Sequence, residues 1–241
     1  SVEAPPGNDN VVAVALSGDG GIAIFNTSNK TSPTARYGDR LKDGQQVHAA
    51  RIGNTDYGFT ATKNAGLLAY NMTAAAARTT LCTETTPTNT CGVYAGKVGS
   101  RSSVSYVAGV GNANNSSHWV ALSSGGTAFG MELWQVSNPS SPQLVFTALP
   151  SEFVHGVAMW RNGNNYYLAT RHLATGSQTQ LRIYDVSCLG SGNCTGLGSP
   201  VFSSTLAEVG GASLFLTHSQ SGSRHFLYLG NVNRCAQALQ N

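Results

Sequence analysis

The sequence predicts an all-β fold, and three observations lead to that class. Only 10% of the 241 residues are Asp, Glu, Lys or Arg, against roughly a quarter in a typical globular domain. The chain holds 28 glycines, and Ser, Thr and Asn fill many other polar positions, which suits turns and strand faces better than helix surfaces. Short apolar and aromatic runs alternate with Asn, Gly and Ser, the pattern of consecutive antiparallel strands.

The stretch from Phe153 to Phe202 shows the repeating unit most clearly. Three strand-like runs, 154–160, 166–170 and 180–186, are separated by turn formers, and residues 199–202 close the unit. Its length is about that of one four-stranded propeller blade.

Comparable second strands begin near five positions along the chain: Val11, Tyr57, His118, Tyr166 and His225. Their spacing of roughly 46 to 61 residues lies in the range of propeller-like arrays. We therefore predict a β-propeller of about five four-stranded antiparallel blades. The prediction leaves open whether the ring is incomplete or the chain is a fragment. A jelly roll or sandwich of the same strand count is the alternative architecture.

The first two units follow a polar, proline-bearing lead-in, so we predict a lead-in over 1–10 and one propeller domain over 11–241. The first unit is a hairpin with a glycine-rich turn and an outer strand, at 11–16, 22–25 and 34–37. The second has strands at 47–52, 57–62 and 67–70. The alanines at 74–77 are too few to predict a helix on their own.

The later units complete the count of strands. The third has strands at 104–110, 118–122, 131–136 and 144–147, the fourth is the stretch described first, and the fifth has strands at 212–217 and 225–229. The first unit thus lacks a leading strand and the last supplies only two. Either the two ends of the chain share a blade, or the chain is a piece of a longer protein.

The five cysteines indicate an oxidising compartment. Cys82 with Cys91, and Cys188 with Cys194, each bracket a short, polar, turn-rich segment. We predict two local disulfides, hence a secreted or cell-surface protein, extracellular or periplasmic, with free surface thiols as the alternative. Cys235 is left over, and we expect it to be unpaired or to link the C-terminal region to a partner chain.

Two segments resemble a known repeat. Residues 133–145 (LWQVSNPSSPQLV) and 181–187 (LRIYDVS), each after an aromatic strand, are similar to the LVIVP-type repeats of secreted bacterial β-propellers. The resemblance implies a propeller and secretion. It implies little about activity, because propellers carry many unrelated functions.

Charge and hydropathy exclude two classes of partner. The net charge of +3 is spread thinly along the chain, which is not the clustered basic surface of a nucleic-acid-binding protein. No apolar run reaches the 18 or so residues of a membrane-spanning helix. We predict neither a nucleic-acid partner nor a membrane span.

His48 and His155 are the candidate binding residues. Each follows a valine at the start of a predicted first strand, the strand that lines the channel of a propeller. Two imidazoles facing a shared axial cavity would suit a metal site or a general acid–base pair; hydrogen-bonded polar residues at the channel mouth are the other interpretation. We predict no cofactor, but we leave open a metal ion at the channel mouth.

No catalytic motif stands out in the sequence. There is no nucleophile elbow on a strand–turn–helix frame, and nothing nominates a pair among the 11 carboxylates. We therefore predict an extracellular, non-catalytic module for binding, adhesion or assembly, with a protein or carbohydrate ligand. The alternative is a secreted metal-dependent or hydrolytic enzyme with its site at the channel mouth.

Overall fold

A computed structural model describes residues 1–18, 20–40, 43–85, 89–124, 130–173, 179–206, 214–221, 224–231 and 234–240. For residues 173, 206, 214–215, 220–221, 230–231 and 234–240 the description is of the backbone alone. Within these ranges nearly all regular structure is β-strand, which confirms the predicted fold class.

The strands follow one another in short antiparallel runs. The first nine are β1 (Val2–Glu3), β2 (Val11–Ala15), β3 (Ile22–Asn26), β4 (Thr34–Asp39), β5 (Gly44–Ile52), β6 (Thr55–Thr62), β7 (Gly66–Asn71), β8 (Cys82–Glu84) and β9 (Tyr94–Val98). Next come β10 (Tyr106–Gly111), β11 (His118–Ser123), β12 (Met131–Gln135), β13 (Gln143–Ala148), β14 (Val154–Asn162), β15 (Asn165–Leu173), β16 (Thr179–Asp185) and β17 (Phe202–Leu206). The last are β18 (Leu214–Ser221), β19 (Arg224–Asn231) and β20 (Arg234–Gln240).

These strands form five sheets, here named A to E in chain order. Sheet A has the order β1-β2-β3-β4-β8, sheet B β5-β6-β7-β9, sheet C β10-β11-β12-β13, sheet D β14-β15-β16-β17, and sheet E β18-β19-β20. All pairings are antiparallel except that of β8, which adds to β4 in parallel. In each sheet the first strand is the inner one.

Buried apolar residues join each sheet to the next. Alternate residues of β2 (Val11, Ala13 and Ala15) are buried, as the two-residue period of a strand requires. One cluster joins sheet A to sheet B, and the others join B to C, C to D and D to E. Each core layer therefore lies between two neighbouring sheets.

The inner strands of all five sheets meet around one axis. A single cavity, called the axial cavity below, is lined by Glu3 of β1, His48 of β5, Gly109 of β10, Ala158 of β14 and Thr217 of β18. Two stacked sheets cannot bring five first strands to one cavity. The structure is a five-bladed β-propeller.

Four strands were not predicted: β1, β8, β9 and β20. Val2 and Glu3 pair with Val14 and Ala13, so the segment treated as a lead-in supplies the inner strand of sheet A. Its two residues are too short to show a strand pattern. In the same way β20 gives sheet E a third strand where the sequence indicated two.

The five-residue helix α1 (Met72–Ala76) corrects the expectation of no helix near residues 74–77. The Asn71 side chain accepts a hydrogen bond from the Ala74 amide at 2.8 Å, which caps the first turn. Met72 and Ala75 are buried. Capping and tertiary packing thus stabilise a helix that would not form in isolation. A second short helix, of the 3₁₀ type, spans Ser187–Ser191.

Both predicted disulfides are present. Cys82 bonds to Cys91 across nine residues of sequence, and Cys188 bonds to Cys194 across six. The backbone of Cys235 lies in β20, but its side chain is outside the described part of the structure, so its pairing stays a prediction. Among the described residues, no helix has the length and apolar character needed to cross a membrane.

The Cys82–Cys91 disulfide closes the connection between β8 and β9, and removing it tests its part in stability. Replacing both cysteines with serine should lower the free energy of unfolding by about 2–3 kcal/mol, because a nine-residue loop is released in the unfolded chain. Urea denaturation measures this change. An unchanged transition midpoint, with the same denaturant dependence, would contradict the prediction.

Candidate functional site

Corresponding positions of the five inner strands carry the candidate site. The strand registers pair Glu3 with Ala13, His48 with Phe59, Ala108 with Ala121, Ala158 with Ala169 and Thr217 with Tyr228. All five inner-strand residues line the axial cavity, whose volume is about 120 Å³. Glu3, His48 and His218 are the ionisable residues of the described lining, and Glu3 and His48 contact each other.

The Glu3 carboxylate contacts the His48 imidazole. Glu3 Oε1 lies 3.2 Å from His48 Nδ1. The Glu3 side chain is 39% exposed and that of His48 12% exposed, so the carboxylate is the accessible member of the pair. The two side chains come from neighbouring sheets, A and B, and meet only because the inner strands converge.

A second imidazole lies on the other side of His48. His48 Nε2 is 3.0 Å from His118 Nε2, and His118, at the start of β11 in sheet C, is buried. The two rings stack with centroids 5.2 Å apart. Phe59 stacks on both, at 6.4 Å from each. Carboxylate and imidazoles therefore form a continuous chain across three sheets, called the Glu3–His48–His118 relay below.

The hydrogen-bond pattern of the relay fixes the positions of its protons. If His48 Nδ1–H donates to Glu3, a neutral His48 keeps a lone pair on Nε2. His118 Nε2–H then donates to it. His118 Nδ1 is left as a bare acceptor, which agrees with that atom being buried with no partner among the described residues. This tautomer assignment is inferred from the network.

Burial keeps His118 uncharged. Loss of solvent is the main cause that lowers the pKa of His118 well below its ordinary value, and a charge on His48 would lower it further. His118 acts as a neutral donor that holds the ring of His48 in place.

Gly109 leaves the space that His48 needs. A Cβ atom at this position would lie 2.5 Å from His48 Nε2 and 2.8 Å from the carbonyl oxygen of Trp119. Both distances are far inside van der Waals contact, and the second involves backbone. The absence of a side chain at position 109 is thus what lets the imidazole point from sheet B toward His118.

The two histidines nominated from the sequence are not brought together. β14 has a bulge between Val154 and Gly156, where His155 falls, and β5 has its bulge between Gly44 and Gln46. His155 therefore corresponds to Gln45, three positions from His48 along the strand. The expected equivalence of His48 and His155 is wrong because β5 begins at Gly44, three residues before Val47, whereas β14 begins at Val154 itself.

His155 lies among aromatic side chains away from the relay. It is 9% exposed, with ring centroids 6.4 Å from Tyr106 and 6.5 Å from Phe153, and it is not among the residues that line the axial cavity. Its loss of solvent lowers its pKa. The imidazole that does meet His48 is His118, which the sequence marked only as the start of a strand.

Glu152 and His172 form a second carboxylate–imidazole contact, in the wall of sheet D. Glu152 Oε2 lies 2.8 Å from His172 Nδ1, and Arg182 Nη1 donates to both Glu152 oxygens at 3.0 Å. Burial is the main cause that lowers the pKa of His172 to about 4, against the opposing effect of Glu152. The arginine compensates the carboxylate, which is the pattern of a structural ion pair.

Other carboxylates of the described residues also have partners in the walls. Asp56 pairs with Arg51, Glu132 with Arg101, Glu84 accepts from Tyr37, and Asp39 accepts from Tyr70. Among the described residues that line the axial cavity, Glu3 is the one carboxylate. In the described ranges no group of three or more His, Cys, Asp or Glu side chains is placed to hold a metal ion. The metal at the channel mouth stays a prediction.

Comparison with known proteins gives structural likeness without sequence likeness. No protein-family model matches the chain, and a search of curated proteins finds no significant match. An α-L-arabinofuranosidase (GH43) from Clostridium thermocellum is similar in structure at 7% identity, with a TM-score of 0.53, over 97% of this chain and 86% of that one.

Two further structures have the same fold. An exo-1,5-α-L-arabinanase from a bovine ruminal metagenomic library is 10% identical, with a TM-score of 0.51, over 97% of this chain and 90% of that one. A GH43 β-1,3-galactosidase, solved with galactodeoxynojirimycin, is 7% identical, with a TM-score of 0.51, over 82% and 72%. At these identities the likeness establishes the fold.

These neighbours correct one prediction from the sequence. The interpretation as a non-catalytic module for binding, adhesion or assembly is contradicted, because the proteins that share the fold are glycoside hydrolases. The resemblance to LVIVP repeats is not tested by these comparisons and stays a prediction.

The buried state of His118 predicts how stability depends on pH. Because its pKa is lowered on folding, the unfolded chain binds the proton more readily. The stability from this group is present above about pH 6.5 and is lost as pH falls below that value, with a slope of up to about 1.4 kcal/mol per pH unit. In His118→Gln the slope of the free energy of unfolding against pH, between pH 6.5 and 5, should fall by up to the amount for one proton, about 1.4 kcal/mol per pH unit. Equal slopes in urea titrations of both proteins would contradict the assignment.

Proposed function

We propose that this chain is a secreted carbohydrate-active hydrolase that works at the axial cavity. The observation that carries the proposal is the contact of Glu3 with His48, which places an accessible carboxylate where the inner strands of five blades converge. The shared fold with glycosidases supports the choice of substrate class. The two disulfides support secretion, since such bonds persist in oxidising compartments.

Glu3 is the reacting group in this proposal. Hydrolysis of a glycosidic bond needs a base or nucleophile on one side and a proton donor to the leaving oxygen on the other. As the base, Glu3 takes a proton from water while the water oxygen bonds to the anomeric carbon. The bond to the leaving oxygen breaks, and that oxygen keeps the electron pair.

His48 and His118 position the carboxylate. The His48 Nδ1–H donates to Glu3, which fixes the orientation of the carboxylate. His118 holds the other nitrogen of His48, so the ring cannot rotate away. Carboxylate, imidazole and imidazole thus act as reacting group, orienting group and support.

The described lining of the axial cavity contains one carboxylate, Glu3, so the test needs a substrate whose leaving group requires no acid. An aryl glycoside with a good leaving group, such as a p-nitrophenyl glycoside, departs as a phenolate and makes little demand on an acid. p-Nitrophenyl α-L-arabinofuranoside and β-galactoside therefore test the base alone. The glycosidases that share the fold suggest these two sugars.

The Glu3→Gln substitution tests the reacting group. It keeps the size of the side chain and removes the base, so we expect kcat/KM for the aryl glycoside to fall by about 10²-fold or more. Asp9→Asn is the matched control, because Asp9 is an exposed carboxylate that pairs with Lys30; its activity should equal that of the parent protein. Absence of hydrolysis by the parent protein, or equal rates in Glu3→Gln, would overturn the proposal.

The Gly109→Ala substitution tests the support of His48. The added methyl group would collide with His48 Nε2, so we expect the activity of the folded variant to fall by about tenfold or more, since misplacing a catalytic group by an ångström can cost 10²-fold. Gly198→Ala is the control, because a Cβ at Gly198 meets no atom within 4 Å. Circular dichroism confirms folding. Full activity in a folded Gly109→Ala variant would show that the position of His48 does not matter.

A further inference from the structure

A groove between sheets D and E is left unexplained by the axial site. It encloses about 500 Å³ and is lined by Trp160, Asn162, Tyr167, Ile183, Val201, Phe202 and His225. This set is called the interblade groove below. Its volume falls in the range of about 300–1,000 Å³ typical of small-molecule sites.

Aromatic side chains form its main wall. Trp160 and Tyr167 face each other across β14 and β15, with ring centroids 5.4 Å apart and planes 21° from parallel. Trp160 also stacks on His218 of sheet E at 5.0 Å. Phe202 at the outer strand is 40% exposed, and Val201 beside it is 61% exposed. Trp160 is 7% exposed and belongs to the core between sheets D and E, so Phe202, Val201 and the half-buried Tyr167 are the apolar side chains that the groove presents to solvent.

Polar atoms lie beside these rings. His225 Nδ1 is 3.0 Å from His218 Nε2, while His225 Nε2 is buried with no partner among the described residues. Asn162, at the end of β14, offers an exposed amide. A buried polar atom without a partner costs about 1–3 kcal/mol, so a ligand with a hydrogen-bonding group at His225 Nε2 would remove this cost.

The described lining contains no Asp, Glu, Lys or Arg, which suits an uncharged ligand. Neutral sugars combine the two features the groove offers to match: C–H faces that pack on aromatic rings, and hydroxyls that pair with amide and imidazole nitrogens. We propose that the interblade groove is a binding subsite for a neutral oligosaccharide. It adjoins the axial cavity, because His218 lines that cavity and contacts both Trp160 and His225 of the groove.

A polypeptide strand is the competing occupant. Sheet E has three strands where each other sheet has at least four, and a strand from a second copy added to β20 would approach the same groove. An apolar strand would cover His225 Nε2 and the Asn162 amide without satisfying them, which disfavours it. The experiment below distinguishes the two.

Titration of the full chain with neutral arabino- and galacto-oligosaccharides tests the subsite. Trp160 lies in the groove while the other two tryptophans, Trp119 and Trp134, lie in sheet C, so tryptophan fluorescence reports binding and calorimetry gives the Kd. We expect Phe202→Ala and Asn162→Ala each to raise Kd by about tenfold, equivalent to about 1.4 kcal/mol. Leu144→Ala, which removes a 49% exposed leucine from sheet C, is the control and should leave Kd unchanged.

The subsite and the proposed reaction are tested separately. Glu3→Gln should bind the oligosaccharide with the Kd of the parent protein, whereas Phe202→Ala should hydrolyse a small aryl glycoside at the parent rate. No binding of either oligosaccharide series at millimolar concentration, or the same Kd in Phe202→Ala, overturns the subsite. A concentration-dependent dimer that Phe202→Ala abolishes would assign the groove to a second copy, which also overturns it.

Discussion

The close approach of five inner strands to one axis is the constraint on which this structure depends. Neighbouring sheets can meet there only where side chains are small. A Cβ on Gly156 of sheet D would lie 3.1 Å from the Cβ of Leu216 in sheet E, and Ala49 and Ala158 occupy similar inner positions. The same constraint keeps the axial cavity narrow. Its described lining holds one carboxylate, Glu3, and two imidazoles, His48 and His218, and these groups determine its chemistry.

The walls and the axis handle charge in different ways. In the walls, each buried carboxylate named above has a hydrogen-bond or ion-pair partner. Glu84 accepts hydrogen bonds from the Tyr37 hydroxyl and the Cys91 amide, both at 2.8 Å. These bonds connect the disulfide segment to sheet A. Such pairing is what makes a buried charge tolerable. At the axis, Glu3 has an imidazole for its partner and keeps much of its exposure. A carboxylate that is hydrogen-bonded but still exposed suits proton transfer better than one whose charge is fully paired.

The sequence predicted the fold much better than the site. Strand alternation and turn residues are local signals, so the repeated sheets and both short disulfides could be identified from neighbouring residues. The relay is not local: Glu3, His48 and His118 lie on three sheets, and Glu3 belongs to a strand of two residues. The comparison of His48 with His155 also failed, because the sequence shows the two Val-His pairs but not that β5 begins three residues before its pair and β14 begins at its pair. The helix α1 depends on a cap and on burial, which composition does not show.

The central claim is that His48 and His118 share one proton across the boundary between sheets B and C. Nitrogen-15 NMR of histidine-labelled protein tests it directly, because a scalar coupling passes between two nitrogens only through an N–H···N hydrogen bond. The account predicts a coupling between His48 Nε2 and His118 Nε2, with the proton on His118, and its loss in His118→Gln. Absence of this coupling in the folded protein, with both rings titrating as independent imidazoles, would contradict it.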